Sequence, residues 1–174
     1  MSCQVTPVLM SNKMYDEITR LVRASYRNAC VLFIDEINNP ELKDLYEEQK
    51  ASIVAKRGIV DEKLVFHGTH AKLINVISRE GFDPEKNVTS AYGKGSYFAT
   101  TAQYSQSYMK SSDKNEISYM FLAQLAVGKC VLSNHADDDF DNYVNSLDNP
   151  SIFVTPYRYG AYPKYVIAFH KNAI

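Results

Sequence analysis

The sequence predicts an α+β fold built as one domain. Its 174 residues, 45% hydrophobic and 22% charged, have the size and balance of a globular unit that buries a core without disulfides or metals. Short strand-like apolar runs are mixed with short amphipathic helical segments, without the strict strand–helix–strand alternation of a doubly wound sheet. The chain carries no internal repeat, low-complexity tract or linker.

The elements follow from local chemistry. Ser11-Asn12 caps a helix whose apolar positions Met14, Ile18, Leu21, Val22 and Tyr26 keep helical spacing. Cys30 to Ile37 is a short apolar run of strand type. Asn39 then caps, and Pro40 opens, a helix to about Lys56 with Leu42, Leu45, Tyr46 and Gln49 on one stripe, stopped by Gly58. This helix–strand–helix lead-in occupies residues 11–58, and a second part, 62–170, forms the core of the same domain, which spans 1–174.

In that second part Leu64-Val65-Phe66 reads as a strand running into His67-Gly68-Thr69, and Ala71 to Arg79 as a short helix closed by Gly81. Asp83 to Ala91 is a polar loop. Ser96 to Ala99 is a brief strand, and Thr100 or Thr101 caps a helix through Tyr108, followed by a polar loop from Met109 to Asn115. Further strands are expected over Ile117 to Leu132, Ile152 to Val154 and Tyr165 to Phe169, with an exposed acidic loop from Asn134 to Asn149.

Composition narrows the function. A net charge of −1 with no basic run argues against a nucleic-acid partner held by phosphate neutralisation. Cys3, Cys30 and Cys130 are odd in number and far apart, which gives no zinc spacing and points to a reducing, intracellular setting, cytoplasmic or nuclear. The N-terminus lacks the pattern of a signal peptide, and no stretch is long enough to span a bilayer. There is no tryptophan but there are thirteen tyrosines, crowded from Tyr92 onward. Tyrosine suits stacking on a ring-shaped ligand and equally suits a half-buried sheet, so the count alone chooses neither.

Four segments could carry chemistry. In His67-Gly68-Thr69 a strand delivers a histidine, then a glycine against whose backbone a planar amide could lie, then a hydroxyl; a strand-ending turn explains the same residues. Tyr92-Gly93-Lys94-Gly95-Ser96-Tyr97-Phe98-Ala99 fits neither phosphate-loop pattern, and reads as a turn before a strand or as a close approach to a ligand with Tyr97 at the strand edge. Ser105 and Tyr108, three apart on a helix, share a face. Ser151-Ile152-Phe153-Val154 and Tyr162-Pro163-Lys164-Tyr165-Val166-Ile167 look like core strands. No nucleophile elbow, paired CxxC or HExxH occurs, and Asp137-Asp138-Asp139 lacks the spacing of a calcium loop.

Taken in order, these four segments resemble the catalytic domain of the poly(ADP-ribose) polymerase (PARP) family, from about Leu64 to Phe169, and most closely its mono-ADP-ribosylating members. The resemblance implies the ADP-ribosyltransferase fold, two packed and mostly antiparallel sheets with peripheral helices, and NAD as co-substrate bound between them without a metal. His67 would bond a hydroxyl of the adenosine ribose, and Thr69 would support that side. Gly68 would hold the nicotinamide carboxamide through its backbone, Ser105 would add a hydroxyl contact, and Tyr97 and Tyr108 would sandwich the ring. Tyr92, Phe98 and Ala99, beside Tyr97, count with the NAD-binding residues. The nicotinamide–ribose bond would break through an oxocarbenium-like state, helped by holding the leaving ring and straining the sugar.

The resemblance also makes the third catalytic position informative. Polymerising members carry a glutamate there, which activates the hydroxyl that extends a chain. Here the triad would be His67, Tyr97 and Ile152, and isoleucine can neither take a proton nor hydrogen-bond. The expected activity is transfer of single ADP-ribose units from NAD to protein side chains, Glu or Asp being candidates, with release of nicotinamide. A catalytically silent NAD- or ADP-ribose-binding or protein-interaction module is the alternative. Transfer to nucleic-acid ends has little support from the charge. The segment Asp83 to Ala91 is shorter than the donor-covering loop common in the family and has no arginine. With no regulatory helical segment ahead of the lead-in, activation by DNA breaks is not expected.

Overall fold

A computed structural model of the chain describes residues 2–87, 91–106, 117–133 and 138–170. Strand β1 (Gln4–Pro7) is followed by helix α1 (Lys13–Ser25), β2 (Cys30–Asn38), α2 (Pro40–Arg57) and β3 (Asp61–Thr69). A 3-10 turn at Ala71–Leu73 leads into α3 (Ile74–Glu80), and another lies at Pro84–Lys86. Then come β4 (Ser96–Ala99), α4 (Ala102–Gln106), β5 (Ile117–Val127), β6 (Cys130–Val131), β7 (Asn142–Val144), β8 (Ile152–Thr155) and β9 (Ala161–His170).

The helix signals act where the sequence places them. The Asn12 side chain accepts the Met14 N–H at the start of α1, and Asn39 accepts the Leu42 N–H with Pro40 in the first turn of α2. Gly58 ends α2 in the left-handed conformation, at φ 80°. Asn39 also ties α2 to α3, because its Nδ2 donates to the carbonyls of Ser78 and Arg79 while the Tyr162 hydroxyl accepts its N–H.

The strands pair in the order β1-β2-β9-β5-β3-β4-β8-β7-β6. Between β3 and β4 the ladder consists of one pair, Phe66 with Ala99, so the sheet folds at a seam into two halves. Alternation along β5 separates two cores. Met120 and Leu122 pack with Tyr15, Ile18 and Val22 of α1. Phe121, Ala123 and Leu125 pack on the other face with Phe98, Phe153 and Val144 of the second half. The two halves thus lie face to face across a shared core, as the predicted α+β architecture requires, and the helices sit at the periphery.

Several expectations change. Strand β9 begins at Ala161 rather than Tyr165, and β1 is an element the sequence reading lacks. The strand expected from Ile117 to Leu132 breaks after Val127, where the Asp141 carboxylate fills the space that a side chain on Gly128 would need. The loop from Asn134 to Asn149 is not simply exposed: Asp141, Asn142 and Val144 are buried, and 142–144 form β7. Asp141 is held by the Arg57 guanidinium at 2.7 Å and by the Lys129 N–H at 2.8 Å. At the start of α4 the Thr101 carbonyl accepts the Ser105 N–H, and Ser25 at the end of α1 adds a distant contribution, its Oγ accepting the N–H groups of Ala102 and Gln103. Tyr15, Tyr46, Tyr162 and Tyr165 are core residues, which accounts for part of the tyrosine excess.

Candidate functional site

The seam between the two sheet halves brings His67 and Tyr97 together. Antiparallel pairing continued beyond Phe66 and Ala99 would set Gly68 opposite Tyr97, but no backbone ladder forms there. The His67 side chain closes the gap instead, with its Nδ1 2.7 Å from the Tyr97 carbonyl oxygen. A carbonyl only accepts, so Nδ1 carries the proton and donates, and in the neutral ring Nε2 is an acceptor. Any sugar hydroxyl bound by His67 therefore donates to the ring, opposite in sense to a histidine that donates.

The ring is fixed by aromatic neighbours. Phe82 meets it edge-on with centroids 4.9 Å apart, Phe98 lies at 5.4 Å, and Phe82 and Phe98 pack on each other at 4.9 Å. Burial among these rings lowers the His67 pKa, and the bond to the Tyr97 carbonyl opposes the shift only in part. The neutral imidazole is thus the form at physiological pH. Phe82 is a contributor the sequence reading missed; following a glycine after a short helix, it gave no signal.

Tyr97 is held as tightly at its other end. Its hydroxyl donates to the Gly93 carbonyl at 2.7 Å and accepts the Tyr92 N–H at 2.9 Å, closing the turn Tyr92-Gly93-Lys94-Gly95 over its own ring. That turn needs its glycines. Gly95, at φ 154°, lies so close to β8 that a Cβ would collide with the Thr155 carbonyl, and a Cβ on Gly93 would strike the Tyr143 ring. The short segment before it is anchored here too: Asn87 Nδ2 donates to the Gly95 carbonyl at 2.7 Å, and Lys94 pairs with Glu85 at 2.6 Å.

Register places the third predicted residue. Tyr97 pairs with Val154, Phe98 with Phe153 and Ala99 with Ile152. Paired side chains share a face, so Phe98 and Phe153 enter the core while Tyr97 and Ile152 lie on the opposite face as diagonal neighbours. Ile152 is 2% exposed, an apolar wall with no charge to offer. Ser105 on α4 is buried, and α4 packs against β3 and β4. Thr69 is buried at the end of β3. Tyr92 and Gly68 are half-buried. Tyr108 lies outside the described residues. Among the described residues, no group of three or more His, Cys, Asp or Glu side chains is placed to hold a metal ion, and no helix is long and apolar enough to cross a membrane.

Comparison with known proteins identifies the family. The profile of the poly(ADP-ribose) polymerase catalytic domain matches residues 12–146. Human protein mono-ADP-ribosyltransferase PARP14 is 32% identical over 96% of this chain, and human protein mono-ADP-ribosyltransferase PARP12 is 33% identical over 91%. Human protein mono-ADP-ribosyltransferase PARP11 is 27% identical over 96%. The chain spans 10% of the length of PARP14, 24% of PARP12 and 59% of PARP11. With a matched profile covering most of its length and with relatives above 30% identity along nearly all of it, the chain belongs to the PARP catalytic-domain family.

Proposed function

We propose that this chain is an NAD-dependent protein mono-ADP-ribosyltransferase, moving one ADP-ribose from NAD to an acceptor side chain and releasing nicotinamide. The observation that carries the reading is the seam itself: His67 and Tyr97 locked together, with an isoleucine rather than a carboxylate as their neighbour on β8.

Each residue's part is carried over from the family resemblance and fits its chemistry. His67, neutral and with Nε2 accepting, receives a ribose hydroxyl. Gly68 offers its backbone to the carboxamide, with Ser105 adding a hydroxyl and Thr69 bordering the adenosine side. The ring of Tyr97, immobilised through its hydroxyl, stacks on the nicotinamide, and Tyr108 takes the other face. Tyr92, Phe98 and Ala99 shape the turn and strand that hold Tyr97.

Ile152 decides what can accept. A hydroxyl must shed a proton as it attacks the ribose carbon, and isoleucine cannot take it. A carboxylate is already ionised at neutral pH. Its oxygen forms the new bond to the ribose carbon as the bond to nicotinamide breaks, the electron pair leaves with the now neutral ring, and no proton is transferred. Glu or Asp side chains of acceptor proteins are thus the fitting class, and elongation through ribose hydroxyls is disfavoured.

The test is to incubate the purified chain with NAD labelled in its adenylate half and a protein mixture. Discrete labelled proteins are expected, and release by hydroxylamine would identify a carboxyl ester. A ladder of polymer would overturn the role given to Ile152. Absence of both label and an NAD-induced melting shift would overturn the enzyme reading and favour a silent module.

A further inference from the structure

We propose that Asn145 is a positioning residue for the acceptor side of the site. It would set the backbone at Ile152 and therefore the place from which an acceptor attacks. The proposal rests on the transferase reading above and extends it to a residue outside the triad.

The observation is a side chain standing in for a strand. The ladder between β7 and β8 runs through Tyr143 with Val154 and Val144 with Phe153. The next pair would be Asn145 with Ile152, and there the Asn145 side chain takes over. Its Oδ1 accepts the N–H groups of both Ser151 and Ile152 at 3.0 Å, and its Nδ2 donates to Ser151 Oγ at 2.9 Å. Two backbone N–H donors on one oxygen fix the amide's orientation. The Asn145 N–H reaches back to the Ile152 carbonyl at 3.4 Å. One residue thus closes the base of the 146–150 loop and grips both residues at the start of β8.

That grip reaches the seam. The Ser151 carbonyl accepts the Thr100 N–H at 3.0 Å, and Ile152 pairs with Ala99, two residues from Tyr97. Among the described residues, the Asn145 side chain bonds to Ser151 and Ile152, not to His67, Tyr97 or the glycine turn that would bind NAD. The bonds are on the partly exposed rim. Losing them loosens the loop: water can replace the exposed bonds to Ser151, while the Ile152 N–H is partly buried and loses its Asn145 acceptor. The expected consequence is a mispositioned acceptor, felt in the transfer step rather than in NAD binding, because small displacements of reacting groups reduce rate steeply.

The experiment compares wild type, Asn145→Ala and Asn145→Asp. An aspartate keeps an oxygen for both amides, and the Ser151 hydroxyl can turn to donate to its second oxygen. Transfer of label from NAD to protein, NAD affinity by calorimetry, melting temperature and hydrogen exchange of the peptide containing Ser151 and Ile152 are read for each. Asn145→Ala should lower kcat for transfer about tenfold or more, leave NAD affinity within about twofold and speed exchange at Ser151 and Ile152. Asn145→Asp should restore both rate and protection. If the alanine variant melts too low to assay, Asn145→Ser, which cannot span both amides, serves in its place. An active wild type with an equally active alanine or serine variant, or an aspartate that rescues nothing, overturns this proposal alone. A wild type that transfers no label overturns the transferase reading and this proposal with it.

Discussion

The His67 imidazole occupies a place where a backbone amide would otherwise sit: its Nδ1 donates to the Tyr97 carbonyl at 2.7 Å, across the one stretch of the sheet where β3 and β4 stop pairing. A side chain that replaces a ladder bond leaves the strands apart yet tied. It also couples the histidine's protonation state to the strand carrying the tyrosine.

That coupling gives a pH dependence with a definite sign. Burial lowers the His67 pKa, opposed in part by the carbonyl bond. A histidine whose folded pKa lies below its unfolded value of about 6.5 contributes its stability fully above that pH. The contribution is lost as pH falls from there towards the folded pKa, because the unfolded chain then binds the extra proton. Urea unfolding should show stability falling below about pH 6.5, before carboxylates titrate. In His67→Asn, whose amide can still donate to Tyr97, that fall should shrink. An unchanged slope in the variant would mean that another group is responsible.

Tyr97 separates stacking from scaffolding. Tyr97→Phe keeps the ring but removes both hydroxyl bonds to the Tyr92-Gly93 turn. Stability should drop by about 1–3 kcal/mol, since each bond contributes about 0.5–1.5, and NAD binding should weaken but persist. Tyr97→Ala removes the ring and should abolish NAD binding and transfer together. Thermal melts alongside calorimetric NAD titration distinguish the two; equal loss in both variants would argue that the hydroxyl, not the ring, matters.

What the sequence disclosed follows the range of the forces involved. Caps at Asn12 and Asn39, the Pro40 start and the Gly58 stop are local, and the structure keeps them. Strand β7 was hidden because Asp141-Asn142 reads as solvated loop; the Arg57 guanidinium, 84 residues away, together with the Lys129 N–H and the Tyr157 hydroxyl, makes burying Asp141 tolerable. The Ser25 contribution to the start of α4 is similarly distant, at 77 residues from Ala102. In the site, motif order pointed to His67, Tyr97 and Ile152. The sense of the His67 bond, the Phe82 packing and the Asn145 grip are not local to the sequence, because each depends on residues apart in the chain or on which atom faces which.

The glycine turn should tolerate no side chain. An alanine at Gly95 would meet the Thr155 backbone at φ 154°, where neither partner can yield cheaply. Gly95→Ala should cost about 2 kcal/mol or more, combining a strained backbone with overpacking. NAD binding should fall with it, since Asn87 and Tyr97 both lean on this turn. A melting temperature unchanged from wild type would contradict the packing described.

Restoring a carboxylate at Ile152 tests whether the third position can be switched in isolation. Ile152 is 2% exposed, so Ile152→Glu buries an ionised group where an apolar wall stood, with no cation within the described pairing of β4 and β8 to receive it. The variant should melt well below Ile152→Val, which trims one methyl group and costs about 0.5–1.5 kcal/mol. A glutamate with a raised folded pKa is penalised above its unfolded value of about 4.3, and the penalty eases as pH falls towards and below that value. The gap between the glutamate and valine variants should therefore narrow on acidification. Polymer should not appear in Ile152→Glu at neutral pH, because the local packing was built for an isoleucine. Long chains on a gel from that variant would show instead that a single carboxylate is all that separates this site from a polymerase.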